Sequence, residues 1–217
     1  MQAVFLGSIG TIADTSELQR AAFNDAFREH GLDWQWDRDA YREMLGQAGG
    51  RARIAEAAKT KGVEVDAEAV HATKTRLFQA ALDDGAATLR PGVADLIAHA
   101  GEKGLRIGVV TTTSRGNVEH LLAAVGLEQD RFDIIVTREH VEQPKPDPEC
   151  YAYAAKCLGV DAAACVAVED NPDGVRAARA AGVNCYAWPN ENTAGQDFGD
   201  ATMAGRDIDQ AVFGAAA

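Results

Sequence analysis

The sequence opens on one short apolar run, Ala3-Val4-Phe5-Leu6, and offers no second one until residue 107. That gap limits the fold more than any other feature. The later runs are 107–110, 134–136, 165–168 and 185–187, partly β-branched and bounded by Gly, Thr or Asp. Short continuous apolar runs alternating with helical patterns predict buried parallel strands joined by crossover helices. Helices are expected over 93–103, 117–125, 149–158 and 172–181. Pro91-Gly92 and Pro172 mark starts, and Gly104, Gly126, Gly159 and Gly182 mark stops. Residues 15–88 break the rhythm and read as helices over 16–30, 38–45, 51–61 and 67–83. The order is therefore one strand, an all-helical insert, then an α/β run. Beyond Asn190 the pattern is weak, although Ile208, Val212 and Phe213 suit a last short helix.

Composition narrows the partners. Of 217 residues, 47% are hydrophobic and 25% charged, an ordinary globular balance. A net charge of −12 repels a phosphate backbone, so no nucleic-acid partner is expected, while a local basic pocket for a small anion stays open. No apolar run is long enough for a membrane, and the start lacks a signal-peptide pattern. Cys150, Cys157, Cys165 and Cys185 show no CxxC spacing and no histidine cluster. They read as small buried residues of a reducing cytoplasm. His30, His71, His99, His120 and His140 read as surface residues, and Trp34 and Trp36 as packing of the helical insert.

An open parallel sheet places its ligand at the carboxyl ends of its strands. Three segments stand there. Thr111, Thr112, Thr113 and Ser114 offer hydroxyls and free helix N–H groups to an anion, or else Ser114 merely caps the helix. Lys145 sits in Gln143-Pro144-Lys145-Pro146-Asp147-Pro148, where three prolines stiffen the chain around one lysine, or mark a surface turn. Glu169-Asp170 supplies two carboxylates suited to a hard cation, or to capping the helix at Pro172. In this order the three make a phosphate-handling layout.

With these segments the chain resembles the haloacid dehalogenase superfamily, in the branch with a helical cap after the first strand. It is most similar to β-phosphoglucomutase-like sugar-phosphate phosphatases of the CbbY type. The resemblance rests on Asp14-Thr15 through Phe23-Asn24, Asp33-Trp34 with Trp36-Asp37-Arg38, and Gly49-Gly50-Arg51. It continues through Leu89-Arg90-Pro91-Gly92-Val93, Val110 to Ser114 with Asn117-Val118, Lys145-Pro146-Asp147-Pro148 and Val168-Glu169-Asp170. It implies an α/β fold: a doubly wound, mostly parallel core sheet, residues 1–14 and 90–217, with a cap of residues 15–89. It implies that Thr111 holds a phosphate, Lys145 neutralises it, and Asp170 binds Mg2+ with Glu169 in support. Arg51 and Arg53 fall where related caps reach toward the substrate, Arg51 being the better placed. A monomer is the default for this cap type.

One departure stands out. The family's first motif is Asp-x-Asp-Gly-Thr, and here the stretch is Gly7-Ser8-Ile9-Gly10-Thr11. By the resemblance, Gly7 replaces the nucleophile and one metal ligand, and Ile9 replaces the acid/base. Glycine forms no aspartyl-phosphate, isoleucine moves no proton, and Mg2+ is weakened. Ser8, Thr11 and Asp14 are the neighbouring substitutes. Losing a carboxylate also removes a charge that repels phosphate. Lys145, the 111–114 segment and the N–H groups at Gly10-Thr11 still offer an anion site. Three functions stay open. The chain binds a small phosphorylated metabolite without normal turnover, or it is a Mg2+-dependent hydrolase with an unusual nucleophile. Otherwise it is a protein-interaction module with a vestigial pocket.

Overall fold

In a computed structural model, which describes residues 1–7, 9–45, 49–205 and 208–213, the first apolar run becomes β1 (Ala3–Leu6), buried along its whole length. Burial on both faces explains why it is apolar without alternation. Val4 and Leu6 pack to one side with Val93 and Leu96 of α6 (Val93–Glu102). Ala3 and Phe5 pack to the other with Tyr151 of α8 (Glu149–Leu158) and Val175 of α9 (Pro172–Ala180). The remaining strands are β2 (Arg106–Val110), β3 (Ile134–Val136), β4 (Cys165–Glu169), β5 (Asn184–Ala187) and β6 (Thr202–Met203). Among the described residues the sheet runs β3-β2-β1-β4-β5-β6, with every pairing parallel. β1 is thus central, with Leu6 opposite both Val109 and Val168.

Between β1 and α6 the chain forms α1 (Ile9–Ile12), α2 (Ser16–Glu29), α3 (Arg38–Met44), α4 (Gly50–Lys61) and α5 (Ala67–Asp83). Asp37 and Asp66 cap α3 and α5, each accepting backbone N–H bonds, and left-handed Gly62 ends α4. These helices carry their own core of Phe23, Phe27, Trp36, Tyr41, Ile54 and Val70. The Phe27 and Trp36 rings meet edge to face, with centroids 4.7 Å apart. Trp34 packs edge-on against Phe27, so both tryptophans serve packing, as expected. The cap is nevertheless not a separate body. Ala22, Phe78 and Leu82 belong to the core cluster beneath the sheet, and Gln79 of α5 donates to Asn117 of α7 (Arg115–Ala124) at 2.9 Å.

The expected strands and longer helices form within two residues of their bounds. Three details differ. The expected loop after β1 contains the one-turn α1. β6 has only two residues, both exposed, so no apolar run announced it. Cys157 is exposed while the other three cysteines are buried, and all four are free. Ile208–Phe213 forms α10 against α6. Among the described residues, no helix is long and apolar enough to cross a membrane.

Phe78 is fully buried and joins a cap helix to the core. Phe78→Ala is expected to cost about 3–5 kcal/mol while leaving a single transition in urea. A loss below about 1 kcal/mol, or a separate early transition, sinks this account of the cap–core union.

Candidate active site

Parallel pairing brings the ends of β1, β2 and β4 side by side. The chain leaves β1 at Gly7, whose N–H donates to Val168 O at 2.8 Å. It leaves β2 at Thr111, whose N–H donates to Val136 O at 3.0 Å. It leaves β4 at Glu169 and Asp170. Lys145 enters between them from its proline-framed loop, in which the Lys145–Pro146 bond is cis, and it is buried rather than on a surface turn. Its ammonium donates to Gly7 O, to Val110 O at 2.7 Å and to Glu169 Oε1 at 2.5 Å. An ammonium has three donors, so all three are engaged. The Tyr151 ring lies 4.9 Å beside it, and the Tyr151 hydroxyl donates to the same Oε1 at 2.6 Å.

Glu169 has no exposed surface. Burial pushes its carboxyl above the usual carboxylate range, with the Lys145 ammonium working the other way. Burial also drives the Tyr151 phenol well up, keeping it a donor. Backbone space decides where this carboxylate lies. A Cβ at Gly7 or at Gly174 would run into the Glu169 carboxyl group, and one at Gly7 would also strike the Tyr151 hydroxyl. Two missing side chains therefore form the slot that Glu169 fills.

Asp170 is held differently. Its Oδ2 accepts from Asn190 Nδ2 at 3.0 Å and its Oδ1 from Asn171 Nδ2 at 3.1 Å. Its carbonyl accepts the Thr193 hydroxyl at 2.6 Å. In the same loop, buried Asn192 donates to Ser16 Oγ and Glu17 Oε1 of α2, at 2.8 and 2.7 Å, and accepts from Arg42 of α3 at 3.2 Å. Arg38 of α3 pairs with Glu191 at 2.6 Å. This loop ties Asp170 to the cap. Beside it the Arg90 guanidinium stacks on Trp188, 3.5 Å from the ring centroid, and donates to the carbonyls of Gly10, Trp188 and Pro189.

The other expected residues are distributed as follows. Thr111 is buried, and its hydroxyl accepts from Thr113 N–H at 3.2 Å. Thr112, Thr113 and Ser114 are partly exposed. Ser114 precedes α7, and its side chain makes no capping bond. The Arg115 N–H instead donates to Glu139. Ile9 packs into the core cluster. The buried Thr11 hydroxyl donates to Val168 O at 3.4 Å, and Asp14 accepts from Ser16 N–H and Oγ–H at the start of α2. Ser8 lies outside the described residues. Arg51 is exposed and pairs with Glu68 of α5 at 2.7 Å. Arg53 turns inward, donates to Met44 O at 3.0 Å, and interacts electrostatically with Tyr41 and with Asp173 of the core. Burial lowers its pKa. Beside it stand His71, half-buried rather than on the surface, and buried Lys74. Lys74 donates to Gln19 at 3.0 Å between the faces of Phe23 and Phe78.

Sequence reasoning missed Tyr151, the inward turn of Arg53, Lys74, and the Asn190–Thr193 loop. The run Asn190-Glu191-Asn192-Thr193 is polar without periodicity, so only its burial in the fold marks it. Lys74 carries a readable signal: a lone lysine on the apolar stripe Val70, Phe78, Leu82 of α5.

Comparison with known proteins now bears on this arrangement. A family model for haloacid dehalogenase-like hydrolases matches residues 10–188. The chain belongs to that family. The matched span begins just past Gly7 and Ile9. Protein CbbY of Cereibacter sphaeroides is 41% identical over 206 residues, covering 93% of this chain and 90% of that one. The crystal structure of CbbY from Rhodobacter sphaeroides in complex with phosphate has a TM-score of 0.87 at 36% identity, covering 97% of this chain and 96% of that one. A mutant of the same protein, in complex with xylulose-1,5-bisphosphate, has a TM-score of 0.88 at 37% identity with the same coverage.

Hydrolases of this family generally use Mg2+. The donors at these strand ends do not fit the ion's usual cage of six oxygens. Residue 7 offers no side chain, Glu169 faces Lys145, and both Asp170 oxygens accept amide hydrogens. Among the described residues, no group of three His, Cys, Asp or Glu side chains is placed to hold a metal.

Lys74 gives a test of the cap's electrostatics. Burial, helped by the Arg53 charge, lowers its pKa from 10.5 to about 7. The unfolded chain then binds more protons between those values, so this residue adds stability as pH rises from about 7 toward 10.5. Below that window its penalty is constant. Lys74→Met should melt above wild type at pH 6 and converge on it by about pH 10. A constant difference in Tm across that range contradicts the assignment.

Proposed function

We propose that this family member binds a small phosphorylated sugar between core and cap and has lost the family's usual phosphoryl transfer. The observation that carries the reading is the end of β1. Gly7 has no side chain to form a phosphoryl-enzyme, Ile9 cannot carry a proton, and the Glu169 carboxylate fills the space beside Gly7. Thr11 is engaged with the Val168 carbonyl and Asp14 with Ser16, which gives a substitute nucleophile no support.

Binding finds support elsewhere. The CbbY relatives were solved with phosphate and with xylulose-1,5-bisphosphate. In this chain Thr111, Thr112, Thr113, Ser114 and the N–H groups near Gly10 and Thr11 would hold one phosphate, with Lys145 beneath them. Asp170 and Glu169, the expected Mg2+ ligands, are instead taken by amide hydrogens and by Lys145. Arg53 supplies the cationic group of the cap, because burial lowers the pKa of His71 and brings that of Lys74 to about 7, while Arg51 contributes through charge alone. The reading takes residues 1–14 and 90–217 as core, 15–89 as cap, and the chain as a monomer.

Phosphate release from a panel of sugar phosphates, with Mg2+, should be absent for the natural chain, and millimolar ligand should raise its Tm. Gly7→Asp with Ile9→Asp should restore measurable release. Release by the natural chain that disappears with Asp170→Asn overturns the reading. Within the binding reaction, Arg53→Ala should weaken a sugar bisphosphate by about tenfold, and Arg51→Ala by about twofold, since only the first removes a partly buried guanidinium. Calorimetric titration showing the reverse order would return the cap site to Arg51.

A further inference from the structure

Lys145 has the right charge for a phosphate, but its three donors are already taken. Two go to backbone carbonyls, which cannot leave. The third goes to a side chain, Glu169, on a flexible stem. Any anion that uses Lys145 must therefore replace the Glu169 carboxylate, because the two are like charges competing for one donor.

We infer that Glu169 acts as an internal competitor for the phosphate site, its carboxylate standing on Lys145 where an arriving oxyanion would stand. The inference rests on the proposed phosphate site and goes beyond it, since it says what occupies that site in the free protein. Three observations carry it. Oε1 of Glu169 accepts from both Lys145 and the Tyr151 hydroxyl, so the carboxylate is bound as a ligand would be. The slot exists because positions 7 and 174 are glycine; a Cβ at either would collide with that carboxyl. Glu169 is fully buried, so it is not a solvated bystander. The chemical class that competes is a phosphate monoester or inorganic phosphate. Both present the planar-edged, multi-oxygen face that a carboxylate imitates with two oxygens.

Two variants disturb the competitor by different routes. Glu169→Gln removes its charge and keeps its shape and its acceptor for Tyr151. Gly7→Ala leaves the charge and places a methyl group in the slot. Calorimetric titration with inorganic phosphate, at fixed pH and ionic strength and without metal, reads the result. Both variants should bind phosphate about tenfold tighter than the natural chain, the worth of one charge-assisted bond freed. Adding Lys145→Ala to Glu169→Gln should abolish the gain. Phosphate affinity that is unchanged or weaker in the variants that fold, judged by circular dichroism, overturns the inference. So does failure of both variants to fold, because Glu169 is then a structural keystone that cannot step aside. A control separates this result from the wider reading. If sugar phosphates raise the Tm of the natural chain but neither variant tightens phosphate, the competitor fails and the ligand site stands. If the variants tighten phosphate but no sugar phosphate shifts the natural chain, the competitor stands and the choice of ligand fails.

Discussion

A lysine ammonium buried at the centre of a protein must find an acceptor for each of its hydrogens, and this requirement organises the strand ends. An unpaired ammonium in a low-dielectric interior is too costly to survive folding. Val110 supplies a carbonyl because β2 ends there, and Gly7 supplies another because β1 ends beside it. Glu169 supplies the counter-charge because β4 is the other neighbour of β1. The central position of β1 is therefore more than a topological fact. It lets one side chain from a distant loop touch three consecutive strands.

The same arrangement depends on the absence of a side chain at position 7. A side chain at position 7 would share the space and the ammonium that Glu169 now holds. With glycine there, the lysine keeps a partner and the interior stays neutral. The parallel sheet and the helical cap are those of the haloacid dehalogenase-like fold, and within it Glu169 is the carboxylate that answers the lysine.

Much of this was legible in the residues, and the reasons for success and failure are physical. Buried parallel strands need continuous apolar residues, so the runs at 3–6, 107–110, 134–136 and 165–168 betrayed themselves. Proline and glycine punctuated most helices because backbone angles constrain both ends. The two-residue β6 buries too little to leave a pattern. Arg51 and Arg53 sit two positions apart on one helix, and two positions turn a side chain to nearly the opposite face. Composition could not say which of them points inward. The Asn190–Thr193 loop was invisible for another reason. Asn190, Asn192 and Thr193 are polar and buried, and their burial is satisfied by partners far away in sequence, on α2 and at Asp170. Only three-dimensional proximity reveals such a cluster. Lys145 and Asp170 were marked by their place at strand ends, but the pairing of Glu169 with Lys145 depends on a vacancy at two glycines that no periodicity records.

The Asn190–Thr193 loop also couples two parts of the molecule. The side chains that orient Asp170 lie in the same short segment as those that dock on α2 and α3 of the cap. A swing of the cap away from the core strips buried Asn192 of its partners before solvent can replace them, and the exposed Arg38–Glu191 pair alone is too weak to hold the cap shut. This contact is made by buried amides that salt screens poorly, and it adds to the apolar union through Phe78 and Leu82. Moving the cap therefore pulls on the segment that orients Asp170, so the acidic end of β4 and the cap do not shift independently of one another.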